Sequence, residues 1–134
     1  INLEKNFLNL NQFLNNVENK LNARRKRMKF IVLGKYTKQG TDGWLDNPDE
    51  DRRAMISGLS KKVGGTLLDL SYTRGEYDVV ATMEAPSLDT MTALKLSMMK
   101  TGAIAELTIL EDINLNAIAK QGAEMIGLYK APGK

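Results

Sequence analysis

The sequence predicts an α+β domain with the element order βαββαβα, preceded by one further helix. Three observations carry this. Met28-Lys29-Phe30-Ile31-Val32-Leu33-Gly34-Lys35-Tyr36-Thr37 is an apolar run of strand length. Gly75-Glu76-Tyr77-Asp78 leads into Val79-Val80-Ala81-Thr82-Met83-Glu84, whose two faces differ at period two. Between the strand segments lie stretches with helix caps and apolar residues spaced three and four apart.

In chain order, Leu3, Phe7, Leu10, Leu14, Val17 and Leu21 repeat at alternating spacings of four and three, the seam of a helix that packs on another helix. Asparagine is a poor helix former, and eight Asn fall within residues 1–27, so this segment calls for a partner. The composition changes after Arg24-Arg25-Lys26-Arg27. Residues 1–27 therefore read as an amphipathic Asn-rich helical extension, and residues 28–134 as the globular domain with a C-terminal helix.

Lys29 to Tyr36 is the first strand, apolar enough to be buried on both sides. A glycine-containing loop from Thr37 to Asn47 follows and carries the single tryptophan, Trp44. The next helix is expected to take Asn47 as its cap, Pro48 in its first turn, Asp49, Glu50 and Asp51 at its positive end, and Gly64 as its stop. Thr66 to Thr73 and Tyr77 to Glu84 form a hairpin around Arg74-Gly75-Glu76. Pro86 breaks the chain, Ser87 caps a helix running to Thr101, and Gly102 ends it. A fourth strand from about Ala103 to Leu110 precedes a last helix from about Ile113 to Tyr129. Right-handed crossovers turn this order into a ferredoxin-like, four-stranded antiparallel sheet with two helices on one face and strands one and three in the middle.

The 134 residues, 43% of them apolar, suffice for one core. The chain has neither Cys nor His. That removes disulfides, thiolate nucleophiles and the commonest general base and metal ligand, and leaves catalysis to carboxylates, Tyr, Lys, Ser or Thr. No metal and no cofactor is expected. No run approaches the roughly 18 apolar residues of a membrane span, and no secretory leader is visible, so a cytoplasmic location is expected. Residues 1–27 hold six Lys or Arg against two Glu, whereas residues 28–134 hold 13 against 14. The near-neutral domain gives no reason to expect nucleic acid or a membrane as partner.

Gly34, Tyr36, Thr37, Gly64, Gly65, Gly75, Tyr77, Asp78, Glu84, Ala85 and Pro86 stand in the order of the GYD domain family, which the chain resembles over about residues 28 to 111. The resemblance implies the ferredoxin-like, dimeric α/β-barrel type of fold, and no chemistry. The additions are the helix before Met28, the enlarged loop near Trp44 and the tail after Glu111. Two helices cover one face of the sheet only, and the strands are too apolar for the other to stay wet. A homo-oligomer, dimer or higher, is therefore expected through that face and the terminal helices, with residues 1–27 also suited to docking another protein.

The candidate site residues are Tyr36, Trp44, Tyr77, Asp78, Thr82, Glu84 and Glu106. Asp78, Thr82 and Glu84 share a face of one strand, and Glu106 shares a face of the next with Thr108. If the register brings these faces together, three carboxylates converge and raise one another's proton affinity, as a general acid or base needs. Otherwise each has a structural use, in the hairpin or at the sheet rim. Trp44 would cover a pocket or plug a subunit contact, and Lys35 would neutralise an anion. The sequence thus points to a homo-oligomeric protein that binds a small ligand or serves as an assembly unit. The alternative is a cofactor-independent isomerase or oxygenase on a small organic acid or aromatic, with Asp78 or Glu84 as base and Tyr36 or Tyr77 stabilising an oxyanion.

Overall fold

The computed structural model describes residues 3–134, apart from the side chains of residues 21–26. Leu21 of the expected seam and Arg24, Arg25 and Lys26 of the basic run thus lie outside the described side chains. The elements are α1 (Leu3–Lys26), β1 (Met28–Tyr36), α2 (Lys38–Asp46), α3 (Arg52–Lys62), β2 (Thr66–Tyr72), β3 (Val79–Ala85), α4 (Leu88–Lys100), β4 (Ile104–Glu111) and α5 (Leu115–Glu124). The sheet is antiparallel with strand order β2-β3-β1-β4, so the first and third strands are central as expected. This α+β arrangement is consistent with a ferredoxin-like fold.

Three local expectations are corrected. The stretch after Thr37 is a helix rather than a loop. Thr37 caps α2 by accepting from the Gly40 amide, and Gly40 is buried. The following helix also starts later than Pro48 suggested. Asp51, which accepts from the Ala54 amide at 3.0 Å, is its cap, whereas Asn47 closes α2. Ser87 does cap α4, through the Thr90 amide. The last helix ends at Glu124, five residues short of the expected end.

The core lies between the sheet and helices α3 and α4. Phe30, Ala85 and Met91 are sealed from solvent, with Leu70, Met83 and Leu107 beside them. Fully burying a side chain such as Phe30 or Met91 contributes about 1.5–3 kcal/mol. Gly65 lets α3 turn tightly into β2: a Cβ there would stand 2.3 Å from the Glu84 carbonyl oxygen. Among the described residues no helix packs over the opposite sheet face. Ile31, Leu33, Val80 and Leu110 form a short apolar strip along its centre, flanked by Thr82, Thr108, Glu84 and Glu106.

The described side chains of α1 are exposed, with Leu3, Phe7, Leu10, Leu14 and Val17 all open to solvent. Those of α5 are exposed too. Among the described residues no helix is long and apolar enough to cross a membrane.

Candidate functional site

A cavity of about 290 Å³ opens between the covered sheet face and helices α3 and α4. Its walls follow from the strand period. Val32 and Tyr36 of β1, Val79, Ala81 and Met83 of β3, and Leu107 of β4 all point to the helix side. The helices add Met55, Ile56 and Leu59 from α3, and Met91, Leu94 and Met98 from α4. Four of the apolar contributors are methionines, which fit ligands of irregular shape. The volume sits at the lower end of small-molecule pockets, which begin near about 300 Å³.

Polar groups are few. Ser60, Ser97 and Thr101 line the cavity, but each hydroxyl donates to a carbonyl of its own helix: Ile56, Leu94 and Met98 respectively. Tyr36, Tyr72 and Arg52 are the remaining polar contributors. Trp44 braces the two phenols from behind: its ring meets Tyr72 edge-on at 5.2 Å and Tyr36 at 6.5 Å. Tyr72 is 45% exposed, but partial desolvation still holds its phenol above the ordinary value; Tyr36 and Asp51 add to this, while Arg52 and Arg53 pull the other way. Arg53 donates to the Leu70 carbonyl, tying the start of α3 to β2. Arg52 faces the cavity while pairing with exposed Glu50 at 3.4 Å.

Of the sequence candidates, Tyr36 lines this cavity and Trp44 buttresses it. The others lie elsewhere. Asp78 Oδ2 accepts the Tyr36 amide at 2.9 Å, so it closes the β1–β3 ladder. Glu84 and Glu106 do share the open sheet face, but the register sets them far apart. Glu84 lies opposite Lys29 and Glu106 opposite Lys35, about 20 Å apart at the strand rise of roughly 3.3 Å per residue.

Each of those glutamates has a cationic neighbour, Arg27 for Glu84 and Lys35 for Glu106, both at 3.4 Å. The convergence of three carboxylates that one register would have allowed does not form, and each has the structural use that was the other reading; among the described residues no acidic group gathers as a metal site would require. Thr82 pairs with Ile31 in mid-sheet. Tyr77 lies under Lys35, whose Nζ is 5.1 Å from the ring centre. Lys35 is also held by Glu76 at 3.8 Å. Desolvation pulls its amine down, but the hydrogen bond and charge of Glu106, with Glu76, outweigh that and raise it.

Sequence reasoning missed Tyr72, Arg52 and the role of the methionines. The period-two pattern of β2 contained a signal for Tyr72, since it follows Leu70 on the core face. The sequence profile of the GYD domain matches residues 30–123. Among solved structures, the chain is similar to the crystal structure of FFRP-DM1, at 15% identity and a TM-score of 0.42, over 64% of this chain and 99% of that one. A comparison with curated proteins gives no match.

Proposed function

The chain belongs to the GYD domain family, and on that footing we propose that it binds a small, largely apolar ligand in the helix-side cavity and works as a homo-oligomer. One observation carries the reading. A cavity of about 290 Å³ is lined mostly by apolar side chains, and the polar ones not bonded within their own helix are Tyr36, Tyr72 and Arg52. A core without a ligand to hold would be expected to close such a volume, because unfilled apolar space weakens packing. Association rests on a separate feature, the uncovered strip of Ile31, Leu33, Val80 and Leu110, together with the exposed apolar residues of α1 and α5.

The geometry favours binding over isomerase or oxygenase chemistry. A base must reach the bound substrate, and the cavity walls contain neither Asp78 nor Glu84. Asp78 is engaged with the Tyr36 amide, and Glu84 with Arg27. Native mass spectrometry of the purified protein tests the proposal. A multimer carrying a small molecule that is released on denaturation is expected. A bare monomer at concentrations of tens of micromolar would overturn both parts.

A further inference from the structure

We infer that the ligand of this cavity is a small amphipathic carboxylate, its acid group set against Arg52, Tyr36 and Tyr72 and its apolar body lying among Met83, Met91 and Leu94. The inference rests on the reading of the cavity as a ligand site and names the class of molecule that site takes.

The polar side chains that are not bonded within their own helix lie together. Tyr36 and Tyr72 are joined through Trp44, and Arg52 acts on Tyr72 electrostatically, so these three groups occupy one region. Met83 and Met91 line the cavity away from them: Met83 pairs with Phe30, six residues before Tyr36 on β1, and Met91 lies in the first turn of α4. A ligand that satisfies both regions has a polar head and an apolar body.

Donors at this end set the sign of the head. A guanidinium offers only donors, and a protonated phenol offers one. Tyr72, with an ordinary value of 10.0 that is raised further here, is protonated and hence a donor at neutral pH. No Asp or Glu is among the residues of the cavity wall. Asp51 also acts on Tyr72 from the start of α3, but its carboxylate is committed to the Ala54 amide, and Glu50 is an exposed partner of Arg52 at 3.4 Å. A planar carboxylate matches such a set of donors, and a guanidinium is suited to gripping it with two parallel bonds. The existing pair with Glu50 is solvent-screened and weak, so a ligand acid displaces it at little cost.

Matched acids and alcohols test the class. Isothermal titration calorimetry of the full chain with decanoate against 1-decanol, and with 2-naphthoate against 2-naphthol, separates the head from the body. Trp44, as the single tryptophan, reports decanoate independently by fluorescence. In at least one pair the acid is expected to bind roughly tenfold tighter than its alcohol, the value of one charge-assisted contact. Arg52→Gln is expected to erase that preference while leaving alcohol binding in place, which also shows that the variant is folded. Arg52→Lys should keep part of the preference, and Glu50→Gln should raise affinity for the acid a few-fold.

Alcohols that bind as well as acids, or a preference that survives Arg52→Gln, would overturn the carboxylate class and leave the cavity reading standing. Failure of all four probes to bind would bring down both.

Discussion

Asp78 accepts the amide proton of Tyr36 through Oδ2 at 2.9 Å, while its own amide donates to the Gly34 carbonyl at the same distance. The two bonds carry the β1–β3 pairing beyond Val79 and fix Tyr36 at the cavity wall. Asp78→Ala leaves the partly buried Tyr36 amide without its acceptor and is expected to cost about 1–3 kcal/mol. Asp78→Asn keeps an acceptor oxygen and should cost less than about 1 kcal/mol. Urea denaturation measures both, and equal losses would show that the bond is not what matters at this position.

Tyr72 supplies a pH dependence. Its phenol is raised above the ordinary 10.0 by burial first and by Tyr36 second, so the fold favours the neutral form. The associated stability is complete below about pH 10 and is lost as pH rises through the raised folded value. Between pH 9 and pH 11 the native chain should therefore lose stability faster than Tyr72→Phe, measured by urea midpoints at each pH. Parallel curves would contradict the assignment.

Much of this architecture was legible because strand period and helix caps are local. β1 and β3 stand out as apolar runs, and Ser87 announces α4. α2 was hidden because Gly40 and Gly43 weaken its propensity. Its stability comes from the Thr37 cap and from contacts across the chain, such as Thr37 donating its hydroxyl to the Gly102 carbonyl. Pro48 drew the start of α3 too early, since Asn47 and Asp51 are equally good cap types and only the amide geometry chooses between them. The site was less legible still. Whether Asp78, Glu84 and Glu106 meet depends on a register that no single strand specifies, and the cavity is assembled from side chains of six elements.

The two glycines of α2 should respond oppositely to alanine. A Cβ on Gly40 would stand 2.4 Å from the Ala103 carbonyl oxygen and 3.0 Å from the Tyr36 ring, so main chain must move. Gly40→Ala is expected to destabilise by about 1–3 kcal/mol. A Cβ on Gly43 meets nothing within 4 Å, and in a helix Ala is preferred to Gly by up to about 1 kcal/mol. Thermal melts that shift in the same direction for both variants would refute the packing argument.

The proposed association has two separable surfaces. Leu33 lies between Val80 and Thr108 on the open sheet face, and an isologous contact there would bring two copies of any substituted residue close together. Leu33→Glu thus places paired carboxylates in an apolar joint, which is strongly unfavourable without partner cations. The exposed Leu3, Phe7, Leu10, Leu14 and Val17 of α1 form the other surface, with no sheet residue involved. Light scattering should show a lower mass for Leu33→Glu and, separately, for a chain lacking residues 1–27, with the combined variant monomeric. The truncated chain should keep its urea midpoint, since the core is built from β1 onward. An unchanged mass in Leu33→Glu would exclude the sheet face, and an unchanged mass in the truncated chain would exclude α1, so each surface stands or falls by itself.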